Sequence, residues 1–431
     1  VKEVFNRYTK YNWPEGFQYW DNVLQAQKEE FFEEAKRPTI YNDEHFKDDI
    51  CCVISAGGKT YWTIGFCAAV ILRECGFNHK IYLSYLGEEE MDKTMIRLTI
   101  DNGFDLINMR DPNVIALYPG RMSGGWECKS LGMILSNHAH CFFLDADVIV
   151  AKNIETVFSS KQYTRYGAIF WPDVFWHNPD TGVPYLDHFI WKMFGMDYKF
   201  EPDFETGQFC VNNKKFLKQQ ELVLWIGQRS DFYYKHIFGD KSVFHMVWRA
   251  TGKEYAYGAY SANWVDCGLQ HFDLDKSVLL YHLIHGKDRL LNGDPPTSIL
   301  NWATYLKGYN ILRSAKYNNQ LYNPEFLTKE EKDLMKKYAG IYMYKRAVDS
   351  QPRVLELLED GSIGQGRDQC EERWLIDIRD DIPILRILSH CGFKGQEVVT
   401  CSFTTTDLDK PFWEGKWHWH EQCYCLLEKV S

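Results

Sequence analysis

The sequence predicts an α/β region followed by a small all-β domain, and three observations carry that prediction. Apolar runs of strand length alternate with helical patterns from Asp49 to Asp147, an alternation that calls for right-handed crossovers and a parallel sheet. After Asp147 the strands and helices continue, now among loops rich in Pro, Asp and aromatic residues. From Arg353 onward the signal is short strands separated by turn residues, which suits a small sandwich or barrel.

In chain order, Gly16 to Lys36 has a helical pattern, with Trp20, Leu24, Phe31 and Phe32 as its packing set. Asp49 to Ala56 is a buried strand that ends in the turn Ala56-Gly57-Gly58-Lys59, and a helix then closes at Gly76. His79 to Leu86 is the next strand, Glu88 to Asn102 the next helix, and Phe104 to Met109 a third strand. Glu127 to Ser136 is helical and delivers the chain to the strand that carries Asp145. Gly167 to Trp171 and Glu205 to Asn212 are strands, Phe216 to Phe238 is largely helical, and Leu279 to Ile284 is a buried strand with His282 and His285 at its end. Thr328-Lys329-Glu330-Glu331 is a capping box for a helix running to about Tyr338. The β domain then comprises Val354 to Leu358, Trp374 to Ile378, Ile384 to Ser389, Val398 to Phe403 and Lys416 to Leu427.

A chain of 431 residues exceeds one ordinary core. The expected organisation is a helical extension over 1–38, an α/β domain over 39–349 and a β domain over 350–431, with a boundary at the polar break Asp349-Ser350-Gln351-Pro352. Formal charge is −10, from 49 Lys and Arg against 59 Asp and Glu, which disfavours a surface that coats nucleic acid. Aromatic residues make up 16% of the chain; most are core, and a minority are available to stack on sugars or bases. No 18-residue apolar run occurs, so no membrane-spanning helix is expected. Several of the 13 cysteines, including Cys51, Cys52, Cys67 and Cys141, lie inside hydrophobic runs. They are expected as reduced, buried thiols, and a cytosolic compartment follows from that expectation. In Trp417-His418-Trp419-His420-Glu421-Gln422-Cys423-Tyr424-Cys425, alternation would align two His and two Cys. The C-x-C spacing is not that of a zinc knuckle, so packing is expected there.

The chemistry concentrates at Phe142-Phe143-Leu144-Asp145-Ala146-Asp147. Carboxylates at i and i+2 on extended backbone face the same way. So close together, they raise each other's pKa unless a cation compensates them. A hard divalent ion carrying phosphate oxygens is the natural compensation, and the carboxyl end of a strand in an open α/β sheet is where ligands bind.

From Ile50 to about Arg289 the chain resembles metal-dependent nucleotide-sugar glycosyltransferases of the GT-A fold, within them the fungal-type α-mannosyltransferases. The segments carrying the likeness are Val53-Ile54-Ser55-Ala56-Gly57-Gly58, Lys129, Phe143 to Asp147, Phe170-Trp171-Pro172-Asp173, Glu205-Thr206-Gly207-Gln208 and Gly239-Asp240-Lys241. The resemblance implies a GT-A-like, Rossmann-related mixed sheet flanked by helices. It further implies Mn²⁺ (or Mg²⁺) on Asp145 and Asp147, with a later histidine as third ligand. His285 is favoured because Gly286 and Lys287 follow it, and His282 stays open. Ala56, Gly57, Gly58, Lys129, Asp145 and Lys287 would bind the donor, and Glu205, Gln208, Asp240 and Asp173 would face the reacting sugar.

The expected activity is therefore a metal-dependent glycosyltransferase, moving a sugar from a nucleoside-diphosphate-sugar to a glycan or other hydroxyl acceptor with retention of configuration. A UDP-sugar is the favoured donor and GDP-mannose the alternative. A modified DNA base as acceptor and a non-catalytic carbohydrate-binding or scaffold protein are the competing readings.

Overall fold

The computed structural model describes residues 17–430 apart from 122–124, 174–187, 198, 200, 235–236, 238, 259–261, 292–294, 297, 315–328, 348–350, 370, 380–381, 390–397, 406–408, 410–411 and 418–423. The chain divides into two compact units, residues 1–291 with 295–308 and residues 292–294 with 309–431.

The first unit is built on a seven-stranded sheet. Its strands are β1 (Lys47–Ser55), β2 (Lys80–Tyr85), β3 (Asp105–Asn108), β4 (His138–Asp145), β6 (Ala168–Pro172), β7 (Phe204–Asn212) and β8 (Ala256–Tyr257), while β5 (Val148–Val150) leaves it for a second sheet. The order is β3-β2-β1-β4-β7-β6-β8. β1 pairs in parallel with β2 and β4, and β2 with β3, as the alternating sequence requires. β7 runs antiparallel to both β4 and β6, so the sheet is mixed. Helices Gly58–Glu74 and Cys128–Leu135 cover the parallel half as crossovers. The expected helix Glu88 to Asn102 is broken into a 3₁₀ turn, Glu88–Glu90, and a helix, Lys93–Asp101, because Asp92 caps the Met95 amide and starts the helix there. Gly58 opens its helix at φ +73°, a conformation that a β-carbon would strain.

A smaller antiparallel sheet has the order β5-β11-β10-β9, from β9 (Asn263–Val265), β10 (Gly268–Phe272) and β11 (Val278–His282). One core joins Phe143, Phe170, Phe204 and Phe209 from the main sheet to Phe244 and Trp248. Phe31 belongs to that core and lies 5.1 Å from Phe194, ring to ring. The helix Phe17–Lys36 is therefore part of this unit, and the expected separate extension is corrected.

The second unit is a seven-stranded antiparallel sheet, β13-β12-β18-β17-β16-β15-β14. Its strands are β12 (Gly340–Arg346), β13 (Arg353–Leu357), β14 (Arg373–Arg379), β15 (Ile382–Ser389), β16 (Val398–Thr404), β17 (Phe412–Trp417) and β18 (Tyr424–Lys429). Its edges β13 and β14 are bridged through Ser362 and Ile363, which gives a barrel-like closure around Tyr342, Tyr344, Leu385, Phe403 and Trp413. The boundary expected at 349–350 falls inside this unit, since β12 pairs with β13 across it. Polar residues there mark a hairpin connection. Helix Lys329–Tyr338 also belongs here, with Met335 and Tyr338 in the core; Thr328 of its expected capping box lies outside the described residues, as do His418, His420 and Cys423. No described helix is long and apolar enough to cross a membrane.

Candidate active site

β4 ends at Asp145, and the chain turns through Ala146 and Asp147 into β5 of the second sheet. The two carboxylates thus converge across a turn between sheets rather than along one extended strand. β11 pairs antiparallel with β5, placing His282 opposite Val148, and the Leu283 amide donates to the Asp147 carbonyl at 2.9 Å. Ligand atoms of Asp145, Asp147 and His282 consequently lie within 4.8 Å of one another.

His285 is not in this cluster. Its amide donates to the Cys267 carbonyl, its side chain is exposed, and its ring stacks on Trp264 at 6.2 Å. Of the two histidines left open, the structure brings His282, not the favoured His285, to the paired carboxylates. β11 stops one turn earlier than the apolar run suggests, so the later histidine is carried round the bend.

Glu205 stands beside the cluster because β7 bulges: Phe170 pairs with Phe209, and Trp171 with Glu205, so Thr206-Gly207-Gln208 bow out of the β6 ladder. His282 Nε2 is 3.4 Å from Asp147 Oδ1, and its Nδ1 is 3.4 Å from Glu205 Oε1. A β-carbon on Gly207 would sit 2.5 Å from the imidazole, so only glycine admits His282 here. Glu205 Oε1 also accepts the Gly207 amide at 2.9 Å.

The other expected residues gather around these. Lys129 is buried, and its Nζ reaches Asp145 Oδ2 at 2.9 Å, Asp240 Oδ2 at 3.0 Å and the Thr206 carbonyl at 2.9 Å. An ammonium has three N–H donors, and here three protein oxygens face them, so Lys129 braces the cluster from within. Asp240 also accepts the Thr206 hydroxyl. Asp173 is buried against Lys241, which the sequence reading had not marked as a site residue. Lys287 Nζ is 2.6 Å from Asp147 Oδ2. Ala56 and Gly57 lie at the end of β1, and a β-carbon on Gly57 would collide with the Glu90 carboxylate, a second neighbour that no local pattern flagged.

Electrostatics follow from burial and these contacts. Burial pushes the Asp145 carboxyl up to about 6 against the pull of Lys129. Burial works on Asp147 too, but His282 and Lys287 hold that carboxyl well below the usual range. Burial opposes the charge on His282, yet Asp147 and Glu205 raise its imidazole to about 10. Five carboxylates (Asp145, Asp147, Asp173, Glu205, Asp240) thus face three lysines (Lys129, Lys241, Lys287) and the charged His282, a small excess of negative charge.

At two side chains here neither polar atom is answered. Both amide atoms of Gln208 and both ring nitrogens of His271, on β10, are buried with no hydrogen-bond partner among the described residues. Burial holds the His271 imidazole down to about 3, so it is neutral. His271 was invisible to the sequence reading because nothing local marks it. Two surface cavities, of about 640 Å³ beside His140 and Tyr163 and about 670 Å³ beside Trp191 and Tyr255, include none of the cluster.

Residues 53–184 match the family model described as "Mannosyltransferase putative". Over 371 residues the chain is 22% identical to the α-1,2-mannosyltransferase MNN2 of Candida albicans, covering 67% of this chain and 62% of that protein. It is 27% identical to MNN23 of the same organism over 124 residues, 28% of this chain and 20% of that one. The chain thus spans under two thirds of the length of these relatives. Among solved structures, the galactosyltransferase LgtC with donor and acceptor sugar analogs is 13% identical over 49% of this chain and 73% of its own, with a TM-score of 0.34. Glycosyltransferase GlyE of Streptococcus pneumoniae is 17% identical over 49% of this chain and 45% of its own, with a TM-score of 0.33. Superpositions this loose leave the chemistry to the site's own geometry.

The relatives also overturn the cytosolic expectation, because MNN2-type mannosyltransferases are Golgi lumenal enzymes. None of the ten described cysteines is in a disulfide, and eight are buried. Burial makes a thiol inert, so free core cysteines report packing and carry no information on compartment. The expected glycosyltransferase likeness holds: the segment 53–184, which carries Lys129, Asp145 and Asp147, matches the mannosyltransferase model, and the chain is similar to the fungal α-1,2-mannosyltransferases.

Proposed function

We propose that this chain transfers mannose from a nucleoside-diphosphate donor to a hydroxyl of a glycan, with a divalent ion, Mn²⁺ in the first instance, on Asp145, Asp147 and His282. The observation that carries the reading is the convergence of those three side chains within 4.8 Å at the carboxyl end of β4. The relatives' names support mannose as the sugar, which moves GDP-mannose ahead of the UDP-sugar favoured from sequence.

The residues fit such an ion. Two carboxylates and an imidazole are a donor set for Mn²⁺ or Mg²⁺ with substrate oxygens completing it. His282 is protonated in the resting cluster, so ligation requires it to give up that proton. The ion supplies Lewis-acid neutralisation of the departing diphosphate.

The chain's own groups do the rest. Lys129 braces Asp145 and Asp240 at fixed separation, so neither carboxylate must reorganise as charge develops. Glu205, kept ionised by His282, presents negative charge to the cationic anomeric carbon. The unanswered atoms of Gln208 and His271 suit sugar hydroxyls, which both donate and accept. The bond from the anomeric carbon to the diphosphate oxygen breaks, and one to the acceptor oxygen forms with retention, the acceptor's proton leaving with the diphosphate.

The test is a donor panel with Mn²⁺, comparing GDP-mannose with UDP-glucose and UDP-galactose on a mannose-terminated oligosaccharide. The expected result is GDP release with a lengthened oligosaccharide. No diphosphate release from any donor, together with no nucleotide binding by calorimetry, would sink the reading.

A further inference from the structure

The second sheet carries one row of side chains that runs outward from the cluster. Antiparallel pairing sets Val148 of β5 opposite His282 of β11, His282 opposite Leu269 of β10, and Leu269 opposite Trp264 of β9. Residues directly opposite one another in such a ladder share a face. That face looks onto the reaction centre: His282 stands 3.4 Å from Glu205 and against Gly207, and His271, two residues along β10 from Leu269, stands near the same carboxylate. Trp264 ends the row on the edge strand, two strand spacings or about 10 Å from His282.

An exposed tryptophan alone signifies little; its place on this row is what matters. Trp264 is 53% exposed, and its ring lies at 8° to that of the exposed His285, with centroids 6.2 Å apart. The two rings form a wider plate, held by the edge strand and by the bend that follows His282. An indole face is electron-rich, while the C–H face of a pyranose is apolar with partial positive charge on its hydrogens. The two stack, and the sugar's hydroxyls stay in water. One sugar held between His282 and Glu205 does not span two strand spacings, so the plate meets the next sugar along. The turn expected to hold the nucleoside, Ala56 to Gly58, follows β1 in the main sheet, whereas β9 is an edge of the other sheet.

We propose that Trp264, widened by His285, is an acceptor subsite that stacks on the sugar next to the one receiving mannose. This rests on the glycan-acceptor reading above and deepens it: the acceptor is an oligosaccharide of at least two sugars. A lone sugar or a protein hydroxyl leaves the plate empty and is a poorer substrate.

The experiment compares methyl α-mannoside with an α-linked mannotriose as acceptor, with GDP-mannose and Mn²⁺, in the full chain. Wild type is expected to use mannotriose with a kcat/KM about tenfold above that for methyl α-mannoside, the scale of one well-stacked aromatic contact. In Trp264→Ala that preference is expected to disappear through a raised KM for mannotriose. Trp264→Phe, which keeps a ring, is expected to recover most of it, and His285→Ala to lose a smaller part. Trp264→Leu repeats the measurement should the Ala variant fold poorly. Equal use of the two acceptors by wild type, or a preference kept in Trp264→Ala and Trp264→Leu, overturns the subsite and leaves the proposed function standing. A raised KM for GDP-mannose in those variants, read as hydrolysis without acceptor, places the ring at the nucleotide and likewise overturns it. No GDP release by wild type with either acceptor overturns both.

Discussion

Around His245 every charge has found a partner, whereas around Asp147 the network is left open on one side. His245 lies fully buried between Asp203, 3.1 Å from Nδ1, and Glu201, 2.8 Å from Nε2; Ser242 donates to Asp203 and Arg249 to Glu201. The Asp147 cluster has the same ingredients, an imidazole between two carboxylates with basic residues nearby. It differs in its loose ends: Asp145 is 23% exposed, Lys287 is 34% exposed, and Gln208 and His271 have unanswered atoms. A buried ionic network that closes on itself specifies structure, and one left incomplete at a solvent opening is arranged for something that arrives.

The sharpest way to break that comparison is to remove one acid from each network. Asp147→Ala should lower transfer by roughly 10³-fold, the scale of several kcal/mol of lost metal stabilisation. It should lower the melting temperature by no more than a few degrees, because His282 keeps Glu205 and the partly exposed Lys287 can be solvated. A melt lowered by many degrees would make the cluster structural. His245→Ala should do the opposite, destabilising the first unit by about 3 kcal/mol in urea unfolding, since it takes the imidazole from the buried Asp203 carboxylate, while Mn²⁺ affinity of the folded protein is kept.

The closed network also has a pH signature. Burial works against the charge on His245, but Asp203 and Glu201 raise its pKa above the ordinary value of 6.5. A raised folded pKa contributes stability that is complete below the unfolded pKa and is lost as pH rises through the folded one. The thermal midpoint should therefore decline above pH 6.5 in wild type, and that component should vanish in His245→Gln. An identical pH profile in both proteins would contradict the assignment.

Two smaller effects refine the open cluster. Gly207→Ala places a methyl 2.5 Å from the His282 ring, and displacing one ligand should weaken Mn²⁺ binding by about tenfold, in the range for disturbed ligand orientation. His285→Ala, outside the cluster, should change Mn²⁺ affinity by less than about twofold, as for a surface substitution. A large loss in His285→Ala would restore the histidine favoured from sequence.

The parallel half of the main sheet was legible because its central strands, β1 and β4, are buried on both faces and read as apolar runs over Cys51–Ile54 and Cys141–Leu144. The antiparallel entry of β7 was not, since strand direction is decided by partners far along the chain. β12 escaped notice for a related reason: Gly340-Ile341-Tyr342-Met343-Tyr344 is partly exposed and follows a helix directly, so its β character emerges only on pairing with β13 and β18. At the site, Asp145, Asp147, Glu205, Asp240 and Asp173 were legible as carboxylates beside glycines and strand ends. Lys241, Glu90 and His271 were not, because each is one charged or polar residue whose neighbours come from other elements.

By itself, then, the sequence determined where the strands and helices of the parallel half lie and that two carboxylates, two residues apart, follow a buried strand. Those are short-range properties, set by side-chain periodicity and backbone preference. Tertiary structure alone decided that Asp147 belongs to a second sheet, that His282 rather than His285 meets it, and that Lys129 is an inner brace while Lys287 holds the outer oxygen. Each of these depends on the register of β5 against β11 and on the bulge in β7. Hydrogen-bonded registers are chosen by the packing of whole faces, which no local pattern encodes.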